Sequence, residues 1–157
     1  MKTNETALAV LRQLKAEGLT LCTAESCTGG LIGSLLTDIP GASSVYLGGV
    51  ISYTNAVKQK LLGVSEDTLR VYTAVSRETA HEMARGVRER LGADVAISVT
   101  GLAGPDSDET GRPVGLVYAA LDMNGFSFCR ELHLSGDREA VRLQAAEAAL
   151  QLVLDFA

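Results

Sequence analysis

The segment Thr23-Ala24-Glu25-Ser26-Cys27-Thr28-Gly29-Gly30 sets a hydroxyl among glycines directly after an apolar run that ends at Leu21. A turn of this kind presents one side-chain oxygen together with several backbone N–H groups. Leu31, Ile32, Leu35, Leu36 and Ile39 follow at helical spacing, so the turn is expected at a helix N-terminus. There the first N–H groups have no partner inside the helix and favour an anion or a developing oxyanion. Ser26 is therefore a candidate nucleophile, with the backbone around Thr28, Gly29 and Gly30 as candidate oxyanion donors. The competing reading is that Ser26 caps the helix, because serine is among the favoured N-cap residues.

Gly48-Gly49-Val50-Ile51-Ser52-Tyr53-Thr54-Asn55-Ala56-Val57-Lys58 is the second segment with chemical content. Val45 to Tyr53 reads as a strand, and Thr54 or Asn55 is placed to cap a helix running to Leu62, with Gly63 as its stop. With Asn55 as the cap, Lys58 takes the third helical position, where a cation opposes the helix macrodipole. Violations of a local rule tend to mark function. Dipole and burial would both favour the uncharged amine, the form a lysine needs to act as a general base. Tyr53, at the strand end, is close enough to share that site. The alternative is a solvated Lys58 and a half-buried Tyr53.

Two further segments carry potential ligand contacts. Ser98-Val99-Thr100-Gly101-Leu102-Ala103-Gly104-Pro105 follows an apolar strand. Its glycines would let backbone N–H groups approach a ligand, and the Thr100 hydroxyl could add a hydrogen bond. Ser135-Gly136-Asp137-Arg138 precedes a final helix, with Arg142 one turn beyond Arg138. Two guanidinium groups on one helix face near its N-terminus could hold a phosphate. An exposed face paired with Glu139 is the competing reading.

Several chemistries are excluded. His81 lies in a charged helix and His133 on a late strand, each expected to be structural or exposed, so a Ser-His-Asp arrangement has no histidine beside a glycine turn. The GxSxG elbow and a lysine three residues after a serine are absent. Neither glycine turn is a P-loop or a dinucleotide fingerprint. No HExxH or paired Cys/His spacing suggests a metal. Cys22, Cys27 and Cys129 are odd in number and lack CxxC spacing, which reads as reduced, mostly buried thiols. A Ser–Lys scheme with a tyrosine nearby survives.

The elements that must position these residues follow from periodicity. Helices are expected from about Glu5 to Ala16 and near 28–38, 55–62, 77–91 and 137–155, with a short helical turn from Ser65 to Leu69. Strands are expected near 20–24, 45–53, 94–100, 114–121 and 126–134, the last two joined through the hairpin signal Asp122-Met123-Asn124-Gly125. This order predicts an α/β fold, a three-layer α/β/α sandwich around a mixed, mainly parallel sheet with one hairpin, as a single domain over 1–157. Gly101 to Pro113 is the longest irregular stretch and is expected to be an active-site loop. With 46% hydrophobic residues the chain can bury a core, and 19 acidic against 14 basic residues leave no basic stripe for nucleic acid. No stretch approaches the ~18 apolar residues of a membrane span, and a cytoplasmic location is the simplest expectation.

The motifs AESCTGG, GGVISYTNAVK, SVTGLAGPD with RPVG shortly after, and SGDREAVR together resemble the CinA C-terminal domain family, the nicotinamide-nucleotide amidases. They stand in family order from residue 23 to residue 142. The resemblance implies hydrolysis of the carboxamide of nicotinamide mononucleotide to nicotinate mononucleotide and ammonia, without metal or other cofactor, by an α/β/α protein commonly found as a homodimer. It places the catalytic serine, lysine and tyrosine on Ser26, Lys58 and Tyr53, a binding threonine on Thr100 and a binding arginine on Arg138. Thr28, Gly29 and Gly30 would then face the oxyanion, Gly101 and Gly104 would line the nucleotide pocket, and Arg138 would take the 5′-phosphate. Tyr53 would relay or return the proton. Many relatives carry a larger N-terminal molybdopterin-binding-like domain; here the first motif begins about twenty residues into the chain, as expected of a stand-alone form or an excised fragment. A nucleotide-binding sensor without turnover, and a purely structural or partner domain, are the alternatives from other classes.

Overall fold

The structure, a computed structural model, describes residues 3–157. Helix α1 (Thr3–Glu17) leads into strand β1 (Leu21–Glu25), helix α2 (Leu31–Thr37), a single 3₁₀ turn (Ala42–Ser44) and strand β2 (Tyr46–Ile51). Helices α3 (Asn55–Leu62), α4 (Glu66–Tyr72) and α5 (Arg77–Leu91) come next, then strands β3 (Val95–Gly101), β4 (Leu116–Met123) and β5 (Phe126–His133), and helix α6 (Arg138–Phe156). The short turn expected at Ser65–Leu69 is a full helix, because Ser65 accepts a hydrogen bond from the Thr68 N–H and so caps it. Side chains cap three other helices in the same way: Thr54 on α3, Ser76 on α5 and Asp137 on α6.

The strands form one sheet in the order β2-β1-β3-β4-β5. β1 pairs in parallel with β2 and β3, while β3–β4 and β4–β5 are antiparallel. The sheet is mixed, as the sequence predicts. Its antiparallel share exceeds the single hairpin by one pairing, since the chain between β3 and β4 carries no crossover helix and returns beside the strand it left.

Alternation along the strands divides the core between two faces. Leu21 of β1 and Val95, Ile97 and Val99 of β3 pack with Val10, Leu14, Ile32, Leu36 and Ala149 under α1, α2 and α6. Cys22, Ala24, Ala96 and Ala120 face the other way, against Leu62, Leu69, Met83 and Val87 of α3, α4 and α5. The residues that the sheet turns to this second face are small, which lets α5 lie close. Gly86 of α5 continues the same logic one layer out: a Cβ there would overlap the Leu62 carbonyl at the end of α3.

This topology places a crevice. β1 feeds α2 on one face, and its neighbour β2 feeds α3 on the other. Where adjacent parallel strands send the chain to opposite faces, a gap opens beyond their carboxyl ends, the usual ligand position of such sheets. Ser26 follows β1, Ser52 and Tyr53 follow β2, and Thr100 and Gly101 end β3.

Candidate active site

Ser26 does not cap α2. The N-cap position is held by Gly30, whose left-handed backbone (φ 101°) provides no side-chain cap. The carboxylate of Glu25 takes over that work from the strand side: Oε1 accepts from the N–H groups of Gly30 (3.2 Å) and Ile32 (3.0 Å), and Oε2 from Gly33 (3.1 Å). A buried negative charge at a helix N-terminus satisfies the orphan donors and complements the macrodipole. An incoming anion is thereby excluded from this helix end, contrary to the expectation for the turn. The Gly29 N–H is likewise committed, to the Ser26 carbonyl at 3.0 Å.

The hydroxyl of Ser26 is left for another partner. Lys58 Nζ lies 2.9 Å from Ser26 Oγ, 2.9 Å from the Ser52 carbonyl and 3.3 Å from the Tyr53 carbonyl. Thr54 caps α3, so Lys58 sits in the fourth helical position rather than the third. Its side chain is 1% exposed. Burial pushes its pKa down to about 8, against a small opposing pull from Cys27. The shift arises from desolvation, since the uncharged amine loses less by leaving water. Two carbonyls can occupy two N–H bonds of that amine, which leaves its lone pair directed at the Ser26 hydroxyl. The Ser52 side chain, fully buried, donates to the Glu25 carbonyl at 3.2 Å, and its N–H donates there at 2.7 Å. The strand end that presents Lys58 with an acceptor is thus tied to the strand end that presents Ser26.

A cavity of about 580 Å³ opens over this pair, within the range of small-molecule sites. Ser26, Cys27, Tyr53 and Lys58 line it together with Thr100, Gly101, Gly104 and Arg138. Asp106, Asp108 and Glu109, from the irregular stretch expected to be an active-site loop, also contribute, as does Arg70 of α4, which was not singled out from the sequence. Cys27, the rival nucleophile, is buried and its thiol is pushed up to about 11 by desolvation. It therefore remains a protonated thiol at neutral pH.

Other residues stand differently from the sequence expectation. Tyr53 lines the cavity, but its side chain is turned outward, 60% exposed, and its phenol accepts a hydrogen bond from Arg138 Nη2 at 3.2 Å. Only its backbone carbonyl reaches Lys58, so the phenol is not the bridge between Lys58 and Ser26. The Thr100 hydroxyl gives its proton to the Ala74 carbonyl at 2.7 Å; toward the cavity it retains acceptor capacity alone. Gly101 is a packing glycine as well as a lining one, because a Cβ there would collide with Leu116 and Val117 of β4. Arg138 reaches the cavity edge and donates to the Gly104 carbonyl at 2.6 Å. Arg142 does not join it. Its Nε donates to the Cys27 carbonyl at 3.0 Å and its Nη2 to the Thr28 carbonyl at 2.8 Å, so it braces the serine turn. Thr28, Gly29 and Gly30 lie behind the cavity wall rather than on it.

His81 bonds Ser127 and His133 bonds Glu131, both away from the cavity. Among the described residues no cluster of His, Cys, Asp and Glu is arranged to hold a metal ion, and no helix is long and apolar enough to cross a membrane.

Glu25 was the residue most accessible to sequence reasoning and missed by it. It is a charge in a strand whose other members are apolar or small, immediately before a helix-forming turn, and a lone charge there needs a partner. The bracing role of Arg142 had no comparable local signal.

Comparisons with known proteins agree with this architecture. The model of the CinA C-terminal domain matches residues 3–157. The chain is 49% identical over 152 residues to the nicotinamide-nucleotide amidohydrolase PncC of Enterobacter agglomerans, covering 96% of this chain and 93% of that protein. It is 46% identical over 144 residues to a CinA-like protein of Kosmotoga olearia, covering 92% of this chain but 35% of the relative; it spans about a third of the length of several such curated relatives. The crystal structure of the competence damage-inducible protein A from Klebsiella pneumoniae superposes with a TM-score of 0.97 at 36% identity, covering 99% of this chain and 97% of that one.

Proposed function

We propose that this chain, which belongs to the CinA C-terminal domain family, is an amidohydrolase that converts nicotinamide mononucleotide to nicotinate mononucleotide and ammonia. The observation that carries the reading is the buried lysine amine 2.9 Å from a serine hydroxyl at the floor of a cavity. An exposed lysine would hold its proton to about pH 10. Lys58, with a pKa near 8, is neutral in about one molecule in ten at pH 7, enough to serve as a base. The name of the Enterobacter relative, matched along nearly its whole length, supports the substrate class.

In this mechanism the Lys58 amine takes the Ser26 proton as Oγ attacks the carboxamide carbon. The tetrahedral oxyanion is held by the backbone of the serine turn at Cys27, the residue after the nucleophile, which lines the cavity beside Ser26. Lys58, now an ammonium, returns the proton to the departing nitrogen as the C–N bond breaks and ammonia leaves. A water then adds to the serine ester, giving its proton to Lys58, and the second collapse releases the nicotinate carboxylate and restores the Ser26 hydroxyl. One amine acts in both directions, so the Tyr53 phenol is not needed as a relay. Arg138 binds the 5′-phosphate, and the Tyr53 ring flanks the nucleotide at the cavity edge.

The test is ammonia release from nicotinamide mononucleotide by the chain, followed in a coupled assay. Turnover that disappears in Ser26→Ala supports the reading. Stabilisation by the nucleotide without ammonia release would make the protein a nucleotide sensor and end the amidase reading.

A further inference from the structure

The loop between β3 and β4 is knit to itself at its tip. Asp108 Oδ1 accepts from the Thr110 N–H at 3.0 Å and from the Thr110 hydroxyl, and the Asp108 carbonyl accepts from the Gly111 N–H at 3.2 Å. The Arg112 N–H donates to Thr110 Oγ1 at 3.3 Å and the Ser107 hydroxyl donates to the Arg112 carbonyl, so Ser107 to Arg112 form one small unit. Asp106 to Thr110 make up part of the wall of the cavity over Ser26 and Lys58. Among the described residues, the hydrogen bonds that tie this unit to the rest of the molecule all come from the Arg112 side chain. Its guanidinium crosses to the corner between α4 and α5, where Nη1 donates to Thr73 Oγ1 at 3.0 Å and to the Val75 carbonyl, and Nη2 donates to the Tyr72 carbonyl at 3.3 Å. Thr73 and Val75 line the same cavity, whereas Arg112 does not.

The corner that receives Arg112 is itself fixed. The Thr73 carbonyl accepts from the Ser76 hydroxyl at 2.9 Å and the Thr79 hydroxyl at 2.7 Å, and the Ala74 carbonyl accepts from Thr100 at 2.7 Å. Thr73 is the one non-glycine residue with a positive φ among the described residues (φ 70°, ψ 174°), a region that glycine enters freely and a β-branched residue only under strain. Glycine would suit that backbone better but would lack the hydroxyl that Arg112 holds. From this geometry we propose that Arg112 is a positioning residue for substrate binding: it fastens the loop to the Thr73 corner and so holds the cavity wall in place without touching substrate. That the substrate is nicotinamide mononucleotide rests on the amidase reading given above. A planar guanidinium suits the task, since its donors stand in rigid relation and reach three acceptors of one corner, which an ammonium on a flexible stem cannot hold in the same geometry.

The experiment follows ammonia release from nicotinamide mononucleotide by the parent, Arg112→Ala, Arg112→Lys, Thr73→Gly and the Thr73→Gly/Arg112→Ala double variant, with thermal melts of each. A glutamate-specific protease reports the loop directly through cutting at Glu109, which is exposed. Release of the wall in Arg112→Ala is expected to raise KM by roughly five- to thirtyfold with kcat within about threefold, and Arg112→Lys should fall between it and the parent. Cutting at Glu109 should speed up several-fold in Arg112→Ala and slow again with saturating nucleotide. Thr73→Gly should raise KM by less, although relief of its backbone keeps the melting temperature within about 3 °C of the parent or above it. Because the two residues act through one contact, the double variant should bind little worse than Arg112→Ala alone. A KM unchanged within about twofold, a KM that rises only in step with a falling melting temperature, or additive effects of the two substitutions would overturn the proposal and leave Arg112 as a brace of the fold. Should Arg112→Ala melt below the assay temperature, Arg112→Lys and Thr73→Gly decide between the same outcomes. A parent that binds the nucleotide but releases no ammonia would strike the amidase reading, and the same comparison, read as dissociation constants by calorimetry, would still decide the role of Arg112.

Discussion

Two glycine-bearing turns leave the sheet at the carboxyl ends of neighbouring strands, one after β1 and one after β3. In sequence both combine a hydroxyl residue with glycines after an apolar run; in the fold they are opposites. The β1 turn is closed on itself: Glu25 takes the helix N–H groups, Arg142 takes two carbonyls, and Ser26 alone faces outward to meet Lys58. In the β3 turn the hydroxyl is the part turned inward, with Thr100 bonded to Ala74, while Gly101, Gly104 and the following acidic run line the cavity. Rigidity is concentrated where a bond would be made and broken, and open surface where a ligand would be held. A glycine turn at a strand end is thus not by itself an anion site; what its N–H groups already hold decides.

The division can be broken most severely at Ser26. Ser26→Ala should lower kcat by at least about 10⁴-fold in the ammonia assay, as for other nucleophile deletions, with Cys27→Ala costing far less. Thr100→Val, the corresponding loss in the other turn, should act mainly through KM. If Thr100→Val matched Ser26→Ala in kcat, the assignment of chemistry to the first turn alone would fall.

The next effect belongs to the base. With Lys58 near pKa 8, kcat/KM should climb through an acidic limb and level above about pH 8, the limb reporting the coupled lysine and serine pair. Lys58→Arg should be nearly as inactive as Lys58→Ala, because a guanidinium does not deprotonate. Activity retained by Lys58→Arg would make the cation an electrostatic anchor for substrate.

Recognition should be weaker and separable. Arg138→Ala is expected to raise KM for the mononucleotide by roughly ten- to a hundredfold through the loss of a charge-assisted contact. The phosphate-free riboside should be affected little. Equal losses on both substrates would show that Arg138 serves only its Gly104 and Tyr53 partners.

The smallest effect is on stability. The folded-state pKa of Lys58 lies below the unfolded value, so between about pH 8 and 10.5 the unfolded chain binds more protons and stability rises with pH. Below pH 8 both states carry the proton and the burial cost is present in full. The melting temperature of the parent relative to Lys58→Met should therefore increase by a few degrees, ~2–6 °C, from pH 7 to pH 10. A difference independent of pH would mean that Lys58 is not desolvated.

Helix and strand order, the hairpin at Asn124-Gly125 and the placement of Ser26 after a strand and Lys58 near a helix start were legible because each rests on local signals: period, caps and a cation where the macrodipole disfavours it. The direction of the Tyr53 phenol was within reach as well. Alternation puts Ile51 and Tyr53 on one side and Ser52 on the other, and the exposed, buried, exposed pattern of those three residues follows it. Arg142 was not legible, since the carbonyls it holds lie 115 and 114 positions away and nothing in its own helix marks it. The antiparallel return of β4 beside β3 was equally hidden, because no turn signal distinguishes a return from a crossover in a long irregular segment.

The missing side chain at Gly86 reaches further than its place on α5 suggests. It sets how near α3 may come, and α3 carries Lys58, so the spacing of two helices governs how dry the amine is. Alanine is the better helix former by about 1 kcal/mol, and a search for stabilising substitutions guided by helix propensity would choose it at this position. The added methyl would meet the Leu62 carbonyl, wedge α3 outward and let water toward the lysine, raising its pKa. Evolvability at this buried position is therefore limited by the proton affinity of a side chain 28 positions earlier in the chain: a neutral-looking exchange would trade a more helical chain for a base that no longer gives up its proton.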